Sequence, residues 1–241
     1  MKYIEYLREL RNRILICFVF LITCFIFFFY NISFVVELLT RPLYELLSDP
    51  ENRRMIFTGL PEVFASNLKV ALFASFLVFL PFFIIQIILF TSPALYKKEK
   101  KIFFSTSFMS VIFFFLGVIF AYFFLIPLIW SFFISYENFV DGSLPIQLES
   151  RYSEYMKLTM FLLIASGLSF EFPILIIFFT KLGFFDESFL KKNRKFFLIG
   201  ILIFAALSTP PDIISQLGIA IPLIIFYESS ILFIRFFFKR K

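Results

Sequence analysis

Acidic side chains are few in this chain, and several stand where they could do chemistry. Glu9 lies among Arg8, Arg11 and Arg13, and Glu99 sits inside the run Lys97-Lys98-Glu99-Lys100-Lys101. Either acid alone reads as local charge balancing. Taken together, two such carboxylates could receive a pair of guanidiniums, because arginine forms forked, bidentate bonds to carboxylate that lysine cannot copy. Each contact would contribute about 4 kcal/mol at an effective dielectric near 20, before desolvation.

Glu171 interrupts an apolar run, where a carboxylate costs at least about 2.5 kcal/mol on insertion scales and needs a partner, a proton or water. Two readings are open: a polar site within the membrane for a partner helix or a proton, or an acid that is protonated and bonded to a neighbour. Pro173, two residues on, frees a backbone carbonyl and favours a polar pocket. Thr209-Pro210-Pro211-Asp212, with Gln216 after it, places polar groups where two short apolar runs turn. The same residues also spell a tight turn with an N-capping aspartate.

Other chemistries lack their residues. The chain has no histidine, which removes His-based triads, His-ligated metals and bis-His haem. Cys17 and Cys24 share a helix face but are too far apart along it to bridge. No Gly-rich phosphate loop is present, so no nucleotide site is expected, and neither an enzyme nor a cofactor is implied.

The elements that must carry these residues are set by the solvent. Of 241 residues, 61% are hydrophobic and 17% charged, and the mean hydropathy is +0.93, outside the range of a water-soluble domain. A bilayer core about 30 Å thick takes about 20 apolar helical residues to cross. Uncharged runs of that kind predict an all-α polytopic fold in a single membrane domain spanning residues 1–241. Its helices fall at about 14–36, 70–96, 102–130, 155–180, 196–211 and 213–234. The third run exceeds one straight crossing, so that helix tilts or ends near Pro127. The last two uncharged stretches are short, roughly 24 Å each at 1.5 Å per residue. Residues 37–69, with four Pro or Gly breakers, read as the longest loop outside the membrane. Lysine and arginine number 17 in segments 1–13, 97–101, 181–195 and 235–241 and 6 elsewhere, which puts both termini on the cytoplasmic or matrix side. The net charge of +6 is thereby explained by topology, and no nucleic acid is needed as a partner.

Five segments resemble, in order and spacing, the TatC family of twin-arginine translocase subunits: YLRELRNRI, LPFFIIQIILFTSPALYKKEK, FLGVIFAYFFLIP, SFEFP and STPPDIISQLGIAIP. The likeness covers about residues 3 to 237. It implies a glove-shaped bundle of six helices that binds the twin-arginine signal peptides of folded cargo on its inner face. It also implies recruitment of TatA/TatB-type single-span proteins and other copies of the receptor, with transport driven by the proton gradient. By motif position, Glu9 and Glu99 would bind the arginines, and Arg11, Pro42, Phe90, Leu95 and Tyr96 would recognise or support the signal peptide. Glu171 would match the intramembrane acid, and Thr209, Asp212 and Gln216 the outer polar site where partner helices dock. Tyr6 stands where many relatives have histidine, and Lys100 where many have arginine; neither change removes a carboxylate.

A respiratory-complex subunit or proton-coupled transporter is the rival reading. It lacks histidines and has only Glu171 in mid-membrane where a relay shows several ionisable groups. A pure membrane scaffold leaves the inner-face acids without a purpose. Because the first motif begins almost at Met1, the gene is expected to be read in the compartment where the protein works. The segments TGLPEVF and ISQLGIAIPLIIFYESSI resemble mitochondrial versions. The mitochondrial inner membrane is therefore the expected location, with a bacterial plasma membrane or the thylakoid as alternatives.

Overall fold

Hydrocarbon offers no partner for a peptide N–H or C=O, so a chain this apolar must satisfy its backbone from within, and it does so with helices. The computed structural model describes residues 2–47, 54–94, 97–136, 149–181, 183–207 and 212–238. Its elements are α1 (Lys2–Tyr30), α2 (Ile32–Tyr44), α3 (Glu62–Thr91), α4 (Lys97–Phe120), α5 (Ile126–Ser135), α6 (Tyr152–Lys181), α7 (Glu187–Lys192), α8 (Arg194–Leu207) and α9 (Ile213–Phe238). Among the described residues the β pairing is one isolated parallel bridge, Ile56 to Arg151. Among the described residues, five helical stretches are long and apolar enough to cross a membrane, at 6–30, 62–91, 100–135, 152–181 and 213–236. The chain is an all-α polytopic membrane protein.

Helices reach beyond the uncharged runs that announce them. α1 begins at Lys2 rather than near Ile14, since arginine and glutamate are good helix formers wherever the rim is wet. Residues 37–44, read as loop, are helical because Val35, Leu39 and Leu43 recur every fourth residue and are all buried. The break between α1 and α2 is at Asn31, whose Nδ2 donates to the Phe27 carbonyl at 2.9 Å in competition with the helical ladder. α3 starts at Glu62, eight residues before the uncharged run.

Of the two alternatives for the third helix, tilting or ending near Pro127, ending is ruled out: the helix runs on to Ser135. One wide turn, Ala121–Leu125, adopts π geometry, with the Ile126 N–H donating to the Ala121 carbonyl. Proline lacks an N–H and its ring crowds the carbonyl four residues back; a wider turn relieves the crowding and lets α5 follow. Of the two helices expected to be short, α8 is, with 14 residues, about 21 Å at 1.5 Å per residue. α9 is not: it runs for 26 residues, because Glu228 and Arg235 are carried on its turns without ending it. The connector 181–195 also contains a short helix, α7, capped by Asp186.

The residues form two compact units, Met1–Arg41 with Arg54–Val111 and Ser150–Met160, and Pro42–Arg53 with Ile112–Glu149 and Phe161–Lys241. In the first, α1 and α3 make an antiparallel hairpin: Phe20 stacks on Phe82 with ring centroids 4.2 Å apart, and Phe29 meets Phe64 edge-on. In the second, α4 and α6 approach through glycine. The Ser166 hydroxyl donates to the Gly117 carbonyl at 2.9 Å, and a Cβ on Gly117 would lie 2.6 Å from the Ser166 carbonyl oxygen and 2.8 Å from the Gly167 Cα. Lipid tails are as apolar as leucine, so such small-residue contacts, and not hydrophobicity, bring membrane helices together.

That contact gives a test. Gly117→Ala meets backbone that cannot yield, and should lower the thermal unfolding midpoint of the detergent-solubilised protein by an amount equivalent to about 1–3 kcal/mol. Gly200→Ala, with nothing within 4 Å of its added Cβ, should leave the midpoint unchanged or slightly raised. Equal losses in the two variants would contradict the close-packing account.

Candidate functional site

The N-terminal turns of α1 carry the acid and arginines picked out by sequence, and i,i+4 spacing makes two of them neighbours. Glu9 Oε1 accepts from Arg13 Nη2 at 2.7 Å and from Arg13 Nε at 3.0 Å. The remaining guanidinium nitrogen, Nη1, donates to Gln86 Oε1 on α3 at 3.0 Å. Arg13 is therefore held from two helices, and the hairpin orients Glu9 through it. Both Arg13 donors fall on one carboxylate oxygen; Oε2 of Glu9 accepts nothing among the described residues, and the side chain is 38% exposed. An acceptor oxygen, fixed in direction and open to solvent, suits an incoming N–H donor. Phe90 follows Gln86 by one turn on the same helix and is half-buried. Arg11 points outward, with its nearest polar contact Asn12 Oδ1 at 3.4 Å.

Pro42 lies buried in the last turn of α2. One turn earlier the buried Tyr155 hydroxyl donates to the Leu39 carbonyl at 2.8 Å, supporting the end of this helix. Glu99 is placed on α4 by its backbone, and its side chain lies outside the described residues. Leu95, Tyr96 and Thr209 also lie outside them.

In the second unit, Asp212 caps α9, its Oδ1 accepting from the Ser215 N–H at 2.7 Å. Its Oδ2 is buried with no hydrogen-bond donor among the described residues. Gln216, one turn on, donates from Nε2 to the Leu202 carbonyl of α8 at 3.4 Å. The capping and docking readings of Asp212 thus coexist: one oxygen caps and the other is left over. Glu171 is elsewhere, half-buried on α6. Its neighbours in sequence join aromatic contacts, Phe170 with Phe120 and Phe226, and Phe172 with Tyr227.

Three ionic groups escaped the sequence reading. Glu62, at the head of α3, is nearly buried and accepts from both arms of Arg151, with Nε to Oε1 at 2.9 Å and Nη2 to Oε2 at 3.1 Å. The N–H groups of Thr58 and Gly59 and the Ser153 hydroxyl complete its shell. Together with the bridge to Ile56, this buckle ties the chain entering α3 to the start of α6. At the α8–α9 end, Arg194 meets Glu228 at 2.7 Å. Glu187 takes Lys191 at 2.6 Å, with Arg235 at 4.0 Å. Asp186 accepts from the Phe189 N–H and the Ser188 hydroxyl, which holds its carboxyl below the usual carboxylate range. The missed signal for Gln86 is a lone amide inside an uncharged run; for Glu62 and Arg151, 89 residues apart, no sequence spacing exists to read.

Comparison with known proteins follows the same lines. A family model described as Sec-independent protein translocase protein (TatC) matches residues 5–222. The chain is 40% identical over 232 residues to the protein of that name from Rickettsia prowazekii, covering 96% of this chain and 92% of the relative. To the Escherichia coli K12 protein it is 31% identical over 236 residues, covering 97% and 88%. A crystal structure of the twin arginine translocase receptor TatC superposes with a TM-score of 0.77 at 30% identity, covering 95% of this chain and 99% of that one.

Asp212 can be tested for its two oxygens. Asp212→Asn keeps a good N-cap and should preserve the unfolding midpoint, whereas Asp212→Ala should lose the equivalent of about 1 kcal/mol. Equal destabilisation by both would show that the charge, and not the cap, holds the start of α9.

Proposed function

We propose, from the premise that the chain belongs to the TatC family and is a non-enzymatic core subunit of the twin-arginine translocase, that its inner-face acids are the receptor for the paired arginines of cargo signal peptides. The observation that carries the reading is Glu9: a carboxylate fixed by Arg13 and Gln86, half-exposed, with Oε2 unoccupied among the described residues. A cargo guanidinium arriving there forms a charge-assisted bond without first displacing Arg13. Glu99, on the lysine-rich start of α4, supplies the second carboxylate, and Arg11, Phe90, Leu95 and Tyr96 line or support the path of the peptide, while Pro42, in α2 beyond the opposite end of α1, supports the receptor without touching the peptide there.

The partner end of the reading rests on Asp212 and Gln216. A buried carboxylate oxygen without a donor is costly, and a polar group on a TatA/TatB-type helix docked against the start of α9 would supply one. Thr209 belongs to the same patch by sequence, and Glu171 offers a polar position within the membrane. Other receptor copies share the complex, and the proton gradient drives transport of the folded cargo. The membrane is the mitochondrial inner membrane in this reading, supported by the likeness of TGLPEVF and ISQLGIAIPLIIFYESSI to mitochondrial versions.

Charge reversal separates receptor from scaffold. Glu9→Lys and Glu99→Lys should each cut photocrosslinking of a twin-arginine precursor by about tenfold or more, equivalent to roughly 1.4 kcal/mol, while membrane insertion stays intact. Undiminished crosslinking in both variants refutes the cargo site. Location is checked by immunogold labelling of the source cells, which should decorate mitochondrial inner membranes; label confined to a plasma or thylakoid membrane rejects that assignment.

A further inference from the structure

At the end of the first unit that carries Gln86, the last turns of α3 and the first of α4 enclose an open cavity of about 540 Å³ that includes none of the residues of the Glu9 group. One water occupies about 30 Å³, so the space is sized for a larger guest. Its walls change character with depth. Lys100, Phe104 and Phe108 recur every fourth residue and form one stripe of α4 in the lining, with Ser92 and Ser105 beside them. Eight residues of helix place Phe108 about 12 Å below Lys100. The two lysines therefore stand at the rim, and the aromatic surface of Phe104 and Phe108, with Ser105 on the neighbouring stripe below Lys101, lies one to two turns deeper.

Lys100 and the neighbouring Lys101 pair with no carboxylate among the described residues, and both are exposed. Phe104 and Phe108 leave more than half of their surface uncovered. The lysines lie in the segment 97–101, which the distribution of charge assigns to the inner membrane surface, at the positive end of the α4 dipole. A soluble anion would be matched by the lysines but not by the phenylalanines, and a purely apolar guest the reverse.

We propose that this cavity is a binding site for an anionic phospholipid of the inner leaflet, with the phosphate against Lys100, Lys101, Ser92 and Ser105 and an acyl chain along Phe104 and Phe108. Basic pockets between membrane helices on this side take anionic headgroups in general, each lysine contributing about fivefold in affinity. Bound there, the lipid joins the ends of α3 and α4 next to the segment that bears Glu99. The cavity shares none of its lining residues with the cargo site, though it borders Phe90 and Glu99 along the chain, and lipid retention is read without cargo before a signal peptide is added.

The test is native mass spectrometry of the full-length protein in detergent, equilibrated with phosphatidylglycerol or with phosphatidylcholine. Wild type should retain one phosphatidylglycerol in preference to phosphatidylcholine. Lys100→Gln with Lys101→Gln should weaken retention roughly twenty-five-fold, and Ser105→Trp, which fills the cavity, should abolish it, with circular dichroism and the unfolding midpoint confirming that both variants fold. Equal retention of the two lipids, equal retention by wild type and the lysine variant, or displacement by millimolar inorganic phosphate would overturn the proposal. So would one-for-one displacement by a synthetic twin-arginine peptide, which would give the cavity to cargo.

Discussion

Everything in this protein answers to one constraint: in hydrocarbon a backbone polar group must find its partner within the protein, because water is not there to supply one. The irregular places show how strictly it holds. At Asn31 the side chain takes the Phe27 carbonyl while the helix turns; before Pro127 the ladder widens by a residue, with the Ile126 N–H reaching back to the Ala121 carbonyl. At the start of α9 the Asp212 carboxylate takes an N–H that no helical carbonyl can reach. None of these devices extends a helix by propensity. Each meets a backbone need where the helix is irregular.

The second consequence is that packing must come from shape. Gly117 and Gly167 bring α4 and α6 to backbone contact, with the Ser166 hydroxyl placed where a side chain would otherwise keep them apart. In the first unit phenylalanines do the equivalent work across the α1–α3 hairpin by stacking. The abundance of phenylalanine, 43 residues, supplies this surface but does not choose the pairs.

Glu171 apart, the charged groups named above stand near the ends of the helices. Each rim group is a small tie: Arg13 between Glu9 and Gln86, Arg151 folded onto Glu62, Arg194 against Glu228. Exposed pairs of this kind contribute little to stability; their value is direction. Arg13 aims Glu9, and the buckle on Glu62 fixes how the chain enters α3. The buckle is the most enclosed of the three, with every Glu62 oxygen engaged, and is structural. Glu9 and Glu228 each keep one oxygen unengaged among the described residues, and of the two Glu9 is the one whose partner is held from a second helix.

The sequence by itself determined the all-α membrane fold class, because hydropathy is a sum over local residues that no tertiary contact can reverse; a sum of the same kind over charge is what assigns Glu9 and the lysine cluster to the inner face in the function proposed. It also contained the alternatives for Asp212, since a Pro-Pro-Asp turn announces a cap before any neighbour is known. What it could not hold were bonds between distant residues. Gln86 became a clamp on Arg13, and Glu62 a seat for Arg151, only when helices far apart in the chain met. The length of α9 and the helix over 37–44 were likewise decided by partners, since charges and prolines that would end an isolated helix are tolerated where buried leucines and a donor such as Tyr155 hold the turns in place.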